Sequence, residues 1–231
     1  DENYAREIMQ LFSIGLLQLN QDGTPVLVNG ANVETYGLDD ITGLARVFTG
    51  WDFDLTTSNT STPDYHRRPL KQVPIKHESG SSTFLGKTIP AGVSGEVALS
   101  MSIDILFAHP NLAPFISKQL IQRLVSSNPS PAYVGRVAAV FNNNGNGAKG
   151  DMKAVIKAIL LDDEARQPPN TSDTKRGKIR EPMLRFLAWA RSFNSKSASD
   201  TWMIGDTSDA GSKLGQSPLR SPTVFNFFRP G

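Results

Sequence analysis

Apolar positions recur at helical spacing through most of the chain. In the first fifteen residues Tyr4, Ala5, Ile8, Leu11 and Phe12 fall on one arc at steps of about 100°. Glu2, Asn3, Arg6, Glu7 and Gln10 fall on the opposite arc. This pattern predicts a helix over residues 1–15, opened by Asp1, Glu2 and Asn3 and stopped by Gly15. A second helix is expected between Tyr36 and Thr49, with Ile41, Leu44, Ala45 and Phe48 inward. Asp39 and Arg46 share its other face, and Asp40 sits at the edge. Gly50 stops this helix, and Trp51 is a packing anchor. Further helices are expected at 93–108, at 112–125 with a stripe of Leu112, Ile116, Leu120 and Leu124, and at 131–141 with Val134, Val137, Ala138 and Phe141 inward. Asp151 caps another, with Val155, Ile156, Ile159 and Leu160 inward. His109-Pro110 is a break, because proline disfavours helix in the residue before it. Pro182 suits a first helical position, ahead of Leu184, Leu187 and Ala188 packed inward over 183–193.

Between the helices the pattern changes. Leu16–Asn20 and Pro25–Val28 flank Gln21-Asp22-Gly23-Thr24, a hairpin signal. Asn20 and Asp22 echo a calcium loop, but no downstream carboxylate completes it, so a plain turn is expected. Residues 52–74 form a long polar loop, Val73–Ile89 reads as extended, and 167–177 reads as an open, mobile linker. The fold class is therefore mainly α: one irregular helical domain over residues 1–231, with a small β-hairpin and long loops. Cysteine is absent, which removes disulfides, thiolate metal sites and a thiol nucleophile. The 24 basic and 22 acidic residues balance, which argues against a nucleic-acid surface. No apolar run is long enough to span a membrane. The chain begins inside a helix signal and stops at Pro230-Gly231, so it reads as an excised piece.

The chemistry available is narrow. Histidine occurs at 66, 77 and 109, without HExxH or any three-histidine spacing. There is no GxSxG and no phosphate-binding glycine loop. What remains is a carboxylate-rich set: Glu2, Glu7, Asp39, Asp40 and Glu78, with Arg6, Arg46 and His77. Glu7, Asp40 and His77 are candidate ligands for a divalent metal, with Glu2 as a further acid and Arg6 or Arg46 steadying an anion. The same residues equally make a buried ion-pair network joining the first two helices. A third reading is a carbohydrate- or surface-binding module that stacks on Trp51, Tyr65 and Trp202.

Several strings together resemble a known family. Glu2-Asn3-Tyr4-Ala5-Arg6-Glu7, Leu11-Phe12-Ser13-Ile14-Gly15, Tyr36 with Asp40-Ile41, Ala45-Arg46 and Phe48-Thr49-Gly50-Trp51 resemble the signature of the bacterial "domain of unknown function 1800" family. His77 with the following acid and Phe84-Leu85-Gly86 resemble its His-Asp…Phe-Leu-Gly element, with Glu78 where Asp is usual. Ala108-His109-Pro110, the helix through Phe115, Lys118 and Leu120, Leu214-Gly215-Gln216 and Ser221-Pro222-Thr223-Val224 resemble further landmarks, in the expected order. The resemblance implies a larger exported bacterial protein, periplasmic or secreted, of which this chain is similar to the C-terminal-side portion, often encoded beside a sulfatase-like exported partner. It implies no established activity, and the oligomeric state stays open. The leading expectation is a binding or scaffolding domain whose polar cluster is structural; the metal-assisted hydrolase and the binding module are the alternatives.

Overall fold

The computed structural model describes residues 1–56, 64–168, 172–173, 177–223 and 225–228. Among these are α1 (Glu2–Glu7), α2 (Leu38–Val47), α3 (Gly95–Ala108), α4 (Leu112–Leu124), α5 (Pro131–Asn142), α6 (Met152–Leu161), α7 (Asp163–Arg166) and α8 (Pro182–Ser192). The strands β1 (Leu27–Val28), β2 (Ala31–Asn32), β3 (Trp51–Asp52), β4 (Lys71–Gln72), β5 (Ser82–Phe84) and β6 (Lys87–Ile89) pair into antiparallel two-stranded ribbons, β1 with β2, β3 with β4 and β5 with β6. The protein is thus mainly α-helical with small hairpins, as its apolar periodicity implies. The chain divides into two compact units: Asp1–Lys118 with Ser130–Ala158, and Gln119–Pro129 with Ile159–Gly231. Most of the expected linker at 167–177 lies outside the described residues.

The helix expected over 1–15 forms in two parts. Glu2–Glu7 is α-helical, and Ile8–Ser13 continues as a π-helix with one more residue in each hydrogen-bonded turn. The wider turn moves the buried stripe. Ala5, Met9 and Ile14 are fully buried, whereas Tyr4 and Phe12, inward on a regular 100° wheel, are 58% and 67% exposed. Ile14 and Gly15 both donate to the Met9 carbonyl, and Gly15 turns the chain with φ 73. A Cβ there would lie 2.7 Å from the Phe115 ring, so the close approach of α4 requires glycine as well.

The core of the first unit joins Ala5, Met9 and Ile14 to Ile41, Leu44, Val47 and Phe48 of α2, Phe84 and Ile89 of the β5–β6 hairpin, and Ala98 and Leu106 of α3. The inward face expected for the second helix is therefore the one that packs. Helix α2 lies so close to β5 that a Cβ at Gly43 would collide with the Thr83 carbonyl, and Ser82 Oγ donates to the Gly43 carbonyl. That contact accounts for a glycine inside a helix, where it costs about 1 kcal/mol relative to alanine.

The turn at Asp22-Gly23 forms. Asn20 N–H donates to the Thr24 carbonyl at 2.8 Å, and Asp22 Oδ1 accepts from the Thr24 amide at 2.9 Å and hydroxyl at 2.6 Å. The pairing it starts is limited to isolated bridges, Leu19 with Pro25 and Leu17 with Glu34. The regular hairpin, β1–β2, turns at Asn29-Gly30 instead, with φ of 52 and 81. Two successive positive φ values make the mirror-image turn that Asn-Gly favours and that matches strand twist.

Helix α3 ends at His109, and Asn111 opens α4. The Asn111 side chain is almost fully buried and uses its whole amide. Its Oδ1 accepts from Leu19 N–H at 2.8 Å, and its Nδ2 donates to the carbonyls of Ile14 at 2.8 Å and Leu17 at 2.7 Å. Its own backbone N–H donates to His109 Nδ1 at 3.1 Å, which requires that nitrogen to be unprotonated. Burial, and secondarily the Lys149 charge, hold the His109 pKa below the ordinary imidazole value. Helix α4 is rotated by about one residue from the expected stripe: Leu112, Ala113, Ser117 and Ile121 are buried, while Leu124 is exposed. The small Ala113 and Ser117 permit a closer approach than Ile116 and Leu120 would. Helix α5 buries the expected Val134, Val137, Ala138 and Phe141, and Asp151 caps α6 by accepting from Ala154 N–H at 3.1 Å. In α6, Val155 and Ile159 are buried and Leu160 is exposed.

In the second unit Gln216 does for α8 what Asn111 does for α4. Its Oε1 accepts from Met183 N–H at 3.1 Å, its Nε2 donates to Glu181 at 2.5 Å, and its carbonyl accepts from Thr207 Oγ1 at 2.6 Å. Met183 is accordingly the buried residue of α8; of the expected Leu184, Leu187 and Ala188, Leu187 is half-buried and the other two are exposed.

Two outcomes follow from the Asn111–His109 joint. Asn111→Leu strands one buried N–H and two carbonyls and is expected to cost about 4 kcal/mol in denaturant unfolding; Asn111→Asp, which keeps the acceptor for Leu19 but sets a buried carboxylate oxygen against the Ile14 and Leu17 carbonyls, is expected to cost at least as much. Because the folded state depresses the His109 pKa, the unfolded chain binds the extra proton. Stability is then full above about pH 6.5 and declines below it. Melting curves between about pH 7.5 and pH 5 should show that decline, and His109→Gln should flatten it.

Candidate functional site

The candidate polar residues separate into distinct local arrangements. Asp40, at the third position of α2, forms a clamp. Its Oδ2 accepts from Gly37 N–H at 2.8 Å, closing the helix start, and its Oδ1 accepts from Leu85 N–H at 2.6 Å. Leu85 has φ 49 at the tip of the β5–β6 hairpin, so Asp40 holds a strained turn against the helix that carries it. Both carboxylate oxygens are thus engaged by backbone.

Further along α2, Arg46 Nη2 lies 2.7 Å from Glu78 Oε1. Both side chains are partly exposed, so the pair itself contributes under about 1 kcal/mol. Gly80 crowds the same guanidinium: a Cβ there would lie 2.5 Å from Nη2. Arg46 Nε is buried without a partner among the described residues. Thr49 Oγ1 donates to the Arg46 carbonyl at 2.7 Å and accepts from Glu78 N–H at 2.8 Å. His77 Nδ1 lies 3.2 Å from the Thr49 carbonyl and 3.3 Å from its hydroxyl. A carbonyl can only accept, so Nδ1 carries a proton, and in the neutral ring Nε2 is then the acceptor. Arg46, His77, Glu78, Ser79, Gly80 and Ser82 line a hollow of about 10 Å³, room for about one water. Glu96, at the start of α3, sits within electrostatic reach of His77. Hydrogen bonds from its own amide and from Ser94 lower its pKa, and His77 adds to them.

The other candidates gather at α1. Glu7 Oε2 and the Tyr36 hydroxyl are both buried without a hydrogen-bond partner among the described residues. Burial lifts the Tyr36 phenol above its ordinary pKa; the Arg6 charge opposes the shift and Glu7 reinforces it. Arg6, Glu7 and Tyr36 therefore share one neighbourhood. Arg6 Nη1 also donates to Asn3 Oδ1 at 3.1 Å on the exposed side, and Glu2 is exposed. Glu7, Asp40 and His77 each belong to a different local arrangement. Among the described residues no three His, Asp or Glu side chains form a group able to hold a metal ion.

Of the aromatic candidates, Trp51 is half-buried on β3, opposite Gln72. Tyr65 meets Phe53 and His66 edge-on at 5.0 and 5.5 Å. Trp202 is 60% exposed, and its ring nitrogen donates to Asp200 at 3.3 Å. The residues that reasoning from the sequence missed are Thr49, Glu96, Asn111 and Gln216. Thr49 and Gln216 stand inside strings that had been singled out, but hydroxyls and amides carry no periodic signal of their own. Asp40→Ala removes the helix cap and the Leu85 anchor together. It is expected to cost about 2–3 kcal/mol and to speed hydrogen exchange at the Leu85 amide more than at core amides of α2.

No curated protein and no solved structure matches the chain. One family model does, described as "Protein of unknown function (DUF1800)", and it matches residues 1–231. The arrangements around Asp40, Arg46 and His77 are therefore built from the residues whose order first suggested that family, and the chain belongs to it.

Proposed function

We propose that this chain is a binding or scaffolding domain of an exported, periplasmic or secreted bacterial protein, and that its polar cluster is structural. The observation that carries the reading is the engagement of both Asp40 oxygens, which accept backbone N–H groups from Gly37 and Leu85. The ion pair of Arg46 with Glu78 and the bonds of Thr49 to Glu78 and His77 fasten the same loop to α2. Side chains committed in this way act as struts. A sulfatase-like exported protein encoded alongside is the partner this reading favours.

A metal-assisted hydrolase is the second reading. It is favoured by the His77 tautomer, which leaves Nε2 as a base or ligand, and by the unpartnered Glu7 Oε2. Metal analysis separates the two. Purified protein equilibrated with zinc, manganese or magnesium and then desalted is expected to retain no stoichiometric metal, with melting unchanged by chelator. Retention of about one ion per chain, lost in both Glu7→Ala and His77→Ala, would overturn the structural reading.

A further inference from the structure

The dipeptide Asn-Gly occurs at 29–30, 144–145 and 146–147. Glycine after asparagine leaves the asparagine amide carbon open to attack by the next backbone nitrogen, since no Cβ shields the approach. All three glycines have open space where a Cβ would stand, so steric access does not distinguish them. Their hydrogen bonds do. Asn144 is held at both ends: Oδ1 accepts from the amides of Asn146 at 2.9 Å and Ala148 at 3.2 Å, and Nδ2 donates to Asp151 at 2.7 Å. The Gly145 N–H, the would-be nucleophile, donates to Asn143 Oδ1 at 2.9 Å. At the next pair the Asn146 side chain has no hydrogen-bond partner among the described residues, but the Gly147 N–H is bound to Asn143 Oδ1 at 3.0 Å. Asn29 and Gly30 are both exposed, and neither the Asn29 side chain nor the Gly30 N–H has a hydrogen-bond partner among the described residues.

We propose that Asn29 is a site of spontaneous covalent modification by intramolecular deamidation, and that the loop over 142–151 protects its own two Asn-Gly pairs. The Gly30 backbone nitrogen loses its proton and attacks Cγ of Asn29. The Cγ–Nδ2 bond breaks, and ammonia leaves with the proton. The cyclic imide that results is opened by water at either carbonyl, giving an aspartyl or an isoaspartyl link. No oxidant or cofactor enters. Amide rotation and deprotonation of the attacking nitrogen are both needed, and a bound N–H opposes the second. This orders the sites as Asn29 fastest, Asn146 next and Asn144 slowest. The isoaspartyl product carries the chain through Cβ and Cγ, which adds a backbone atom to a two-residue turn and places a carboxylate beside it. The β1–β2 ladder has only the pairs Leu27 with Asn32 and Val28 with Ala31, all four residues exposed. The hairpin therefore opens locally while the core is untouched. This site stands independently of the scaffolding reading.

The test incubates the full chain in mildly alkaline buffer, folded and in guanidinium, and follows each Asn-Gly peptide by digestion and mass spectrometry with isoaspartyl forms resolved. In the folded chain Asn29 is expected to convert several-fold faster than Asn146, and Asn144 is expected to lag both. In guanidinium the three rates should converge, because the protecting hydrogen bonds are gone. Asn29→Gln should abolish that product and leave the other two sites unchanged. Conversion of Asn144 or Asn146 as fast as Asn29 in the folded chain, or a rate order that survives unfolding, would overturn the proposal.

Discussion

One buried amide holds three parts of the first unit in register. Asn111 accepts from Leu19 and donates to Ile14 and Leu17, so the end of the π-helix, the segment leading into the first turn and the start of α4 share a single side chain. A helix end leaves carbonyls without intrahelical partners, and burying them unpaired costs about 1–3 kcal/mol each. The π-helical step presents Ile14 to the interior, and Asn111 then meets the carbonyl that the step leaves over. Gly15 completes the joint, since only a residue without Cβ lets Phe115 pack against the turn.

The same logic governs the polar residues of α2. Asp40 and Arg46 on the helix, and Thr49 just past its end, reach the stretch from His77 to Leu85: Asp40 holds Leu85, and Arg46 and Thr49 both hold Glu78. Glycine makes the approach possible: Gly43 admits β5, and Gly80 admits the Arg46 guanidinium. A loop held at this many points keeps a fixed shape. The hollow that results is water-sized, and its charges largely neutralise one another.

Helix existence was legible because it follows from periodicity and punctuation. Pro182, Asp151 and the His109-Pro110 break act through local backbone chemistry, and they act here as they would in a short peptide. The inward faces of α2 and α5 were legible too, because Ile41, Leu44, Val134 and Val137 offer a single apolar stripe. In the π-helix that follows α1, in α4 and in α8 more than one stripe was available, and the largest apolar residues did not win. Met9 displaced Phe12 because the helix widened; Ala113 and Ser117 displaced Ile116 because the approach was close; Met183 displaced Leu184 because Gln216 captured its amide. The candidate site divides the same way. Asp40, Arg46 and His77 could be singled out from their order along the chain, but which atoms they touch could not.

The sequence by itself determined the helical class, most helix starts and stops, the inward faces of α2 and α5, and membership of a family whose landmarks run from end to end. Only the tertiary structure decided the buried stripe of the π-helix after α1 and of α4 and α8, the turn of the β1–β2 hairpin at Asn29-Gly30, and the roles of Asn111 and Gln216. The reason is physical. Periodicity and capping are set within a few residues, whereas a buried amide is worth its cost only when partners 97 and 94 residues away, as Ile14 and Leu17 are from Asn111, arrive to satisfy it.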